Sequence, residues 1–353
     1  MLHYGEKWKE FHATTLEIMR ELFCAADDDQ IILVPAPGSA CLEMAIANLA
    51  KPGDKILNLR NGYFGEITKE SAELHGIGVI EPDTPYGSPV PVSEVKRLLE
   101  ETRNLSAIVV VHNETSGGVM NPVQEIGDLS KQFGVPLVVD TISSFGAVRT
   151  PMREWNCAIC VGYSSKGLSG IAGLTPMAVN REIWDKTIRS VSGSSAGRFM
   201  SFSIWDRYIR GWGSWGHPFP TTMPTSVIQA LFKAAQIALD EGMNERTDRH
   251  ARVSTKLRKM VREETDLDIL PEEKAASCTV TAVKLSDPRQ DEVRSIMEKD
   301  SGVVISGGLS LLKGKIIRVG HMGLTATDAC IERTFAALQK SLESVNAQKQ
   351  IAA

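Results

Sequence analysis

Short β-branched runs alternate with amphipathic stretches over the first two-thirds of the chain. Most of these runs are continuous in Val and Ile, without the polar alternation of a half-exposed strand, and the stretches between them have apolar positions at helical spacing. The strand-like runs comprise residues 31–36, 55–60, 107–112, 136–140 and 157–163. Because strands and helices alternate in this way, we predict βαβ units and an α/β domain with a mostly parallel sheet.

From about residue 224 onward the pattern is different. One long helical stretch, residues 226–264, leads into a smaller α+β segment. This segment contains two strand-like runs and two helical patterns, at residues 277–285, 315–321, 290–300 and 327–342. We therefore expect two domains with a boundary near 235–250, and divide the chain into a large domain of residues 1–240 and a small C-terminal domain of residues 241–353.

The composition is that of an ordinary globular protein, with 42% hydrophobic and 23% charged residues among 353. The net charge of −4 gives no basic surface for nucleic acid, and no run of about 18 apolar residues predicts a membrane span. Six scattered cysteines predict a reducing, cytoplasmic location rather than a disulfide framework. Cys157 and Cys160 lie in an apolar run without a second pair nearby, so we interpret them as packing residues and expect no metal site.

Residues with chemical potential follow these strands at the point where each strand ends. Asp140 closes the fourth run and Lys166 comes just after the fifth, and each needs a partner because burial disfavours its charge. Two aromatics, at 63 and 64, follow the second run, where they could stack on a planar ligand or belong to the core. Gly38 and Ser39 open a helix after the first run, a geometry that suits a phosphate but also describes a plain helix cap.

Together these features indicate one ligand, because the carboxyl ends of parallel strands share one edge of the sheet. Pyridoxal 5′-phosphate has an aldehyde that condenses with a lysine amine, a ring nitrogen that pairs with a carboxylate and a phosphate that binds a helix N-terminus. We therefore predict pyridoxal 5′-phosphate as the cofactor, with Lys166 and Asp140 as the catalytic residues.

Three motifs resemble those of class V aminotransferases of pyridoxal-phosphate fold type I: residues 112–147, 164–179 and 313–323. The nearest branch contains the alanine/serine:glyoxylate (or pyruvate), 2-aminoethylphosphonate:pyruvate and pyridoxamine:pyruvate aminotransferases, and the resemblance covers residues 5–345. It implies a large domain whose mostly parallel sheet of the seven-stranded type lies between helices, and a smaller C-terminal α+β domain. It also implies a homodimer in which the neighbouring subunit completes the active site.

The resemblance assigns roles around the cofactor ring. Lys166 matches the lysine that binds the aldehyde, and Asp140 matches the partner of the ring nitrogen. Phe64 falls where the family places an aromatic stacked on the ring, and Ile142 would press on the opposite face.

The resemblance also implies a phosphate site and a ring-oxygen contact. Gly38 and Ser39 match the phosphate-binding turn, and Ser165 matches a side chain that reaches the phosphate. Thr222 would contact the phosphate from the neighbouring subunit. The hydroxyl of Thr115 would approach the ring oxygen, although the adjacent serine at 116 is an alternative.

Arg318 matches the arginine that binds the substrate carboxylate, a task suited to a planar guanidinium with two parallel donors. Two departures from the family concern the substrate and the phosphate. Pro37 stands where relatives often have a Ser, which removes one donor and one hydroxyl. Relatives also carry an N-terminal arm upstream of a stretch like "HYGEKW", and we expect this arm to be short or missing here.

We therefore expect an aminotransferase that works by ping-pong chemistry on small molecules. It would move an amino group from an alanine- or serine-like donor to a 2-oxo acid such as glyoxylate or pyruvate. The alternatives are a 2-aminoethylphosphonate or pyridoxamine donor, a pyridoxal-phosphate lyase or desulfurase, and a non-catalytic protein with this fold. A desulfurase is disfavoured because none of the six cysteines lies in a Gly-rich loop, and Cys278 and Cys330 fall in predicted core elements.

Overall fold

The computed structural model describes residues 3–189, 196–215, 219–286 and 289–352, the side chains of 212–215 and 348–352 excepted. Strands and helices alternate along the first part of the chain, as predicted. The strands are β1 Gln30–Val34, β2 Lys55–Asn58, β3 Gly78–Ile80, β4 Leu105–Val111, β5 Asn113–Glu114, β6 Val119–Met120, β7 Leu137–Asp140, β8 Cys157–Val161, β9 Thr175–Val179, β10 Asp268–Ile269, β11 Val280–Lys284, β12 Ser306–Gly307 and β13 Ile316–Gly320.

The large sheet has seven strands in the order β1-β9-β8-β7-β4-β2-β3. Strands β8, β7, β4, β2 and β3 pair in parallel, and β9 is antiparallel to both of its neighbours, β8 and β1. All five strands predicted from the apolar runs are present, and their interiors are buried as continuous Val/Ile runs require. The predicted α/β class with a mostly parallel, seven-stranded sheet is confirmed.

Two strands of this sheet were not predicted. Strand β9 contains Pro176, whose missing N–H argues against a central strand. Pro176 nevertheless pairs with Leu33 of β1, and on the other side its carbonyl accepts a 2.9 Å hydrogen bond from the Gly162 N–H. Strand β3 has only three residues and lies at the edge of the sheet. Its side chains are partly exposed, so its sequence lacks the long apolar run by which a buried strand is predicted.

Twelve helices are described, and they cover the sheets. They are α1 Glu6–Leu22, α2 Gly38–Leu49, α3 Tyr63–Leu74, α4 Val92–Glu101, α5 Val123–Phe133, α6 Arg181–Arg189, α7 Gly197–Met200, α8 Phe202–Trp215, α9 Thr225–Glu241, α10 Met243–Glu264, α11 Arg289–Ser301 and α12 Asp328–Ala352. Helix α4 is amphipathic and buries Val95, Leu98 and Leu99, whereas α2 is apolar on most sides because it contacts strands and neighbouring helices at once.

A second, antiparallel sheet has the order β10-β11-β13-β12 and is covered by α10, α11 and α12. The strands and helices predicted for this segment are present. The prediction of one long helix over 226–264 was wrong, because Gly242 separates α9 from α10. Gly242 adopts φ 85°, a left-handed value that ends a helix and that glycine adopts without strain.

The buried apolar side chains form two main clusters. One surrounds the large sheet and extends to Ala238 on α9, and the other surrounds the small sheet and begins at Val253 on α10. The break at Gly242 lies between them, which supports the proposed division of the chain near residue 240. Within the described part of the chain, no helix is both long enough and apolar enough to cross a bilayer.

Candidate active site

A cavity of about 220 Å³ lies beyond the carboxyl ends of the parallel strands. In open α/β sheets this edge is where ligands bind, because helix N-termini and strand-end loops converge there. Six of the ten residues predicted for the site line this cavity, namely Gly38, Ser39, Phe64, Asp140, Ile142 and Lys166. The other lining residues are Pro37, Leu42, Ile67, Val111, Ser143 and Tyr163.

Lys166 lies in the turn that follows β8. Its Nζ donates a 2.7 Å hydrogen bond to Ser143 Oγ and lies 5.3 Å from the centroid of the Phe64 ring. Burial lowers the pKa of Lys166, and the negative charges of Asp140 and Glu114 oppose that effect. A lysine amine with a lowered pKa is a better nucleophile and base near neutral pH than an exposed lysine.

Asp140 is the last residue of β7 and is buried at the floor of the cavity. Its Oδ1 accepts a 2.8 Å hydrogen bond from the Ile142 N–H, and its Oδ2 accepts none from the described residues. Burial raises the pKa of Asp140 to about 6, although the Ile142 hydrogen bond and the nearby Lys166 cation lower it. A positively charged group in the cavity would therefore favour the ionised carboxylate further.

Phe64 is held in place through the N-terminus of α3. The buried Glu114 carboxylate accepts hydrogen bonds from the Phe64 N–H at 3.1 Å and the Gly65 N–H at 3.3 Å. The Ser116 hydroxyl donates to Glu114 at 2.5 Å and accepts from the Tyr63 N–H at 2.9 Å. A carboxylate at this helix end satisfies backbone donors that would otherwise be unpaired, and this fixes the backbone that carries the ring.

The start of α2 and Ile142 also line the cavity. Pro37 provides no side-chain cap for α2, and among the described residues the N–H groups of Gly38 and Ser39 have no acceptor. A Cβ atom on Gly38 would lie 2.5 Å from Ile142 Cδ1, so any larger residue would have to displace the Ile142 side chain. The helix end therefore presents two free backbone donors beside the cavity, the arrangement that binds a phosphate.

Four predicted residues do not line the cavity. Ser165 is half-buried next to Lys166, and Thr222 is exposed on the segment that precedes α9. Thr115 is buried, and its hydroxyl makes no hydrogen bond within the described residues. The alternative to Thr115, Ser116, is disfavoured as a ligand contact because its hydroxyl is engaged by Glu114 and the Tyr63 N–H.

Arg318 on β13 links the small sheet to the segment that follows β5. Its Nε donates to the Gly307 carbonyl at 2.8 Å and its Nη1 donates to the Thr115 carbonyl at 3.2 Å. Within the described part of the chain, Arg318 forms no ion pair with a carboxylate. Burial lowers the pKa of Arg318, and Glu114 opposes this effect. The guanidinium is thus oriented by two carbonyls while its charge is left for another partner.

Sequence reasoning missed three residues of the site. Ser143 accepts a hydrogen bond from Lys166, and Glu114 anchors the Phe64 backbone. Tyr163 follows the end of β8 and lines the cavity. Ser143 directly follows the predicted site residue Ile142, and Tyr163 lies two residues before Ser165, which was the available signal. The role of Glu114 depends on a contact across 50 residues and has no local signature.

Cysteines take no part in the cavity. The six cysteines are free, and Cys157 and Cys160 are buried in β8. Burial raises the pKa of the Cys278 thiol to about 12, which leaves it an inert thiol at neutral pH. Among the residues that the structure describes, no group of three or more His, Cys, Asp or Glu side chains could hold a metal ion.

Comparison with known proteins places the chain among aminotransferases. The family model described as aminotransferase class-V matches residues 1–333. An uncharacterised aminotransferase of Methanocaldococcus jannaschii is 30% identical over 94% of this chain and 85% of its own length, and the pyridoxamine–pyruvate transaminase of Mesorhizobium japonicum is 32% identical over 81% and 72%. The crystal structure of an alanine–glyoxylate aminotransferase from Nostoc superposes with a TM-score of 0.89 at 26% identity, over 97% of this chain and 89% of that one. The resemblance inferred from the motifs is thereby confirmed, and the chain belongs to the class V aminotransferase family.

Proposed function

We propose that this aminotransferase uses pyridoxal 5′-phosphate bound in the cavity between Phe64 and Ile142. The observation that carries the proposal is the pairing of Lys166 with Asp140 in one cavity. The first is a lysine whose pKa burial lowers, and the second is a buried carboxylate with one free oxygen. An amine that condenses with an aldehyde and a carboxylate that pairs with a ring nitrogen are the two protein groups this cofactor requires.

The remaining walls fit the rest of the cofactor. The free N–H groups of Gly38 and Ser39 are suited to the phosphate, and Ser165, directly before Lys166, would supply a further hydroxyl. Phe64 offers a ring face for stacking, and Ile142 offers an apolar contact on the other side of the cavity. Thr115 would supply a hydroxyl to the ring oxygen.

The chemistry that bound pyridoxal 5′-phosphate supplies is electron withdrawal from the donor Cα and storage of the amino group between two half-reactions. Asp140, ionised beside a positive ring nitrogen, stabilises the charge that this withdrawal requires. Lys166 Nζ, with its lowered pKa, takes the proton from the donor Cα. Ser143 holds Nζ by a hydrogen bond and so limits the directions in which the amine can point.

For the substrates we propose a small amino donor bearing a carboxylate, and a 2-oxo acid such as glyoxylate or pyruvate. Arg318 supports this choice, because its oriented guanidinium has no carboxylate partner among the described residues. Two similar proteins are named for alanine with glyoxylate and for pyridoxamine with pyruvate. Alanine and serine are therefore the first donors to test, and pyridoxamine and 2-aminoethylphosphonate are the alternatives.

We further propose a homodimer in which Thr222 of one subunit completes the phosphate site of the other. The exposure of Thr222 and its place outside the cavity of its own chain support this arrangement. A cytoplasmic location remains the expectation from the free cysteines.

A lyase or desulfurase is the second candidate within the same cofactor chemistry. A desulfurase needs a nucleophilic cysteine in an accessible, electropositive setting. Burial instead raises the thiol pKa of Cys41, Cys157 and Cys278. The cysteines therefore favour transamination over desulfuration.

The test begins with absorbance. After unbound cofactor is removed, protein that was mixed with pyridoxal 5′-phosphate should retain an absorbance beyond the protein band that changes when alanine or serine is added. Lys166→Ala should abolish it, and the exposed-lysine control Lys274→Ala should not. A protein that retains no such absorbance once unbound cofactor is removed would contradict the proposal.

Product release then separates transamination from elimination. Without an acceptor, an aminotransferase should release one equivalent of oxo acid per active site and stop. Adding glyoxylate or pyruvate should restore turnover. Continuous release of oxo acid without an acceptor would instead identify a lyase.

A further inference from the structure

The two loops that carry Lys166 and Ser143 touch backbone to backbone. A Cβ atom on Gly167 would lie 2.4 Å from the Phe145 carbonyl oxygen and 2.7 Å from the Ala147 nitrogen. Gly146 has φ +72°, and a Cβ there would lie 2.4 Å from Leu168 Cδ2. Only glycine is tolerated at either position, so the spacing of the two loops is set within narrow limits.

Arg246 lies at this contact. It extends from α10, and only 1% of its surface is exposed. Its Nε donates to the Gly146 carbonyl, its Nη2 donates to the Gly167 carbonyl at 2.9 Å, and its Nη1 donates to Glu241 Oε2 at 2.6 Å. Among the described residues, these two carbonyls have no other donor.

Burying a guanidinium is costly unless its charge and its N–H groups are satisfied. Burial lowers the pKa of Arg246, and the Glu241 carboxylate opposes this effect. The two carbonyls and the carboxylate each accept from a different nitrogen of the planar guanidinium, a geometry that lysine cannot reproduce. The arrangement is therefore specific for arginine.

We propose that Arg246 is a positioning residue for the Lys166–Ser143 pair. It binds the carbonyl directly after Lys166 and a carbonyl three residues after Ser143, so it fixes the two loops that carry the ends of that hydrogen bond. Arg246 does not line the cavity and acts only through the two loops. The role rests on the function proposed for Lys166.

Arg258 provides a matched control on the same helix. It is also buried and does not line the cavity. Its Nε donates to Glu273, and its Nη1 donates to the Ser277 carbonyl at 3.2 Å. Arg258→Met therefore removes a buried arginine, its carboxylate pair and a carbonyl contact without touching either loop. Its effect measures the cost of losing a buried arginine that contacts neither loop directly.

The first measurement uses the protein without cofactor. Hydrogen exchange of the backbone over residues 143–147 and 164–170 should rise about tenfold in Arg246→Met, as expected for loss of about one hydrogen bond's stabilisation. Arg258→Met should leave both segments unchanged. Arg246→Lys keeps the charge but can bind only one of the two carbonyls, so its exchange rates should lie between those of wild type and Arg246→Met. It replaces the methionine variant in the experiment if that variant fails to fold.

The second measurement uses the protein with pyridoxal 5′-phosphate. Arg246→Met should shift the pH midpoint of the cofactor absorbance by about one pH unit, and lower kcat about tenfold while KM changes little. Equal exchange in the Arg246 and Arg258 variants, with an unshifted midpoint, would overturn the proposal and leave Arg246 a structural residue. If wild type binds no cofactor, the proposed function fails, and the exchange measurement alone decides whether Arg246 fixes the loops.

Discussion

Lys166 Nζ and Ser143 Oγ are joined by a 2.7 Å hydrogen bond that connects the ends of two adjacent strands. Lys166 follows β8 and Ser143 follows β7, and these strands pair in parallel, so both side chains emerge at the same edge of the sheet. The bond holds the lysine in the cavity that Asp140 and Phe64 also line. The amine is therefore preorganised by a residue that has no acid or base role of its own.

Replacing Ser143 with Ala should slow the reaction without preventing cofactor binding. A hydrogen bond to a charged or reacting amine contributes about 1.5–3 kcal/mol, which corresponds to a loss of about 10- to 100-fold in kcat. Ser143→Thr keeps the hydroxyl and should retain most of the activity. Steady-state kinetics with spectral titration of the cofactor measures both effects. Equal losses in the Ala and Thr variants would show that the site is sensitive to shape rather than to the hydrogen bond.

Asp140 should make the stability of the cofactor-free protein depend on pH. Burial raises its pKa from the ordinary value of 3.8 to about 6, with Lys166 lowering it and Glu114 raising it. The folded protein therefore keeps a proton that the unfolded chain loses, and this residue's contribution to stability falls as pH rises from about 4 to 6. Asp140→Asn should remove that decline, which amounts to about 3 kcal/mol, while abolishing activity.

Urea unfolding at a series of pH values between 4 and 7 measures this contribution. The exposed Asp300→Asn variant should follow the wild-type curve and serves as the control. If the Asp140→Asn and wild-type curves stay parallel over this range, the carboxylate does not titrate as its burial predicts.

Glu114→Gln should destabilise the protein and weaken cofactor binding together. One carboxylate oxygen accepts hydrogen bonds from two backbone N–H groups at the start of α3, and the other accepts from the Ser116 N–H and hydroxyl. Glutamine keeps only one of these two acceptors, because its amide nitrogen donates and leaves two donors unpaired. We expect a loss of about 2–3 kcal/mol in the free energy of unfolding, since buried donors are left unpaired.

Phe64→Leu shows whether the weaker cofactor binding expected for Glu114→Gln comes from the Phe64 ring or from the loss of stability. It removes the ring but leaves the helix end intact, so it should weaken the affinity for pyridoxal 5′-phosphate with little change in the thermal midpoint. Thermal unfolding and cofactor titration of both variants check this. Normal cofactor affinity in a destabilised Glu114→Gln variant would mean that the ring does not depend on the helix end.

The sequence predicted those parts of the site whose signal is local. Asp140 and Lys166 each stand directly after an apolar run, and Gly38 stands where such a run meets a helix, so the edge of the sheet could be predicted without coordinates. Glu114 and Arg246 could not be predicted, because their partners lie 50 and 79–100 residues away. Strand β9 was missed because Pro176 contradicts the local rule, and the surrounding sheet overrides that rule.

Arg318 should decide which class of donor the enzyme accepts. Its guanidinium is oriented by the Thr115 and Gly307 carbonyls and has no carboxylate partner among the described residues. If it binds the donor carboxylate, Arg318→Lys keeps the charge but loses the paired geometry, and the concentration of alanine needed for half-maximal rate should rise about 100-fold.

Each variant can be tested with alanine and with pyridoxamine, which carries an amine but no carboxylate, so that the two donors are compared in the same protein. The half-reaction without an acceptor, followed by the cofactor spectrum, isolates the donor from the 2-oxo acid. Arg318→Lys should slow this half-reaction with alanine and leave it nearly unchanged with any donor that lacks a carboxylate. Arg294→Gln, which removes the neighbouring cation that pairs with Asp291, should affect neither donor. Equal losses with both donors would instead show that Arg318 acts by holding the Thr115 and Gly307 segments, and the proposed carboxylate-bearing donor would lose its main support.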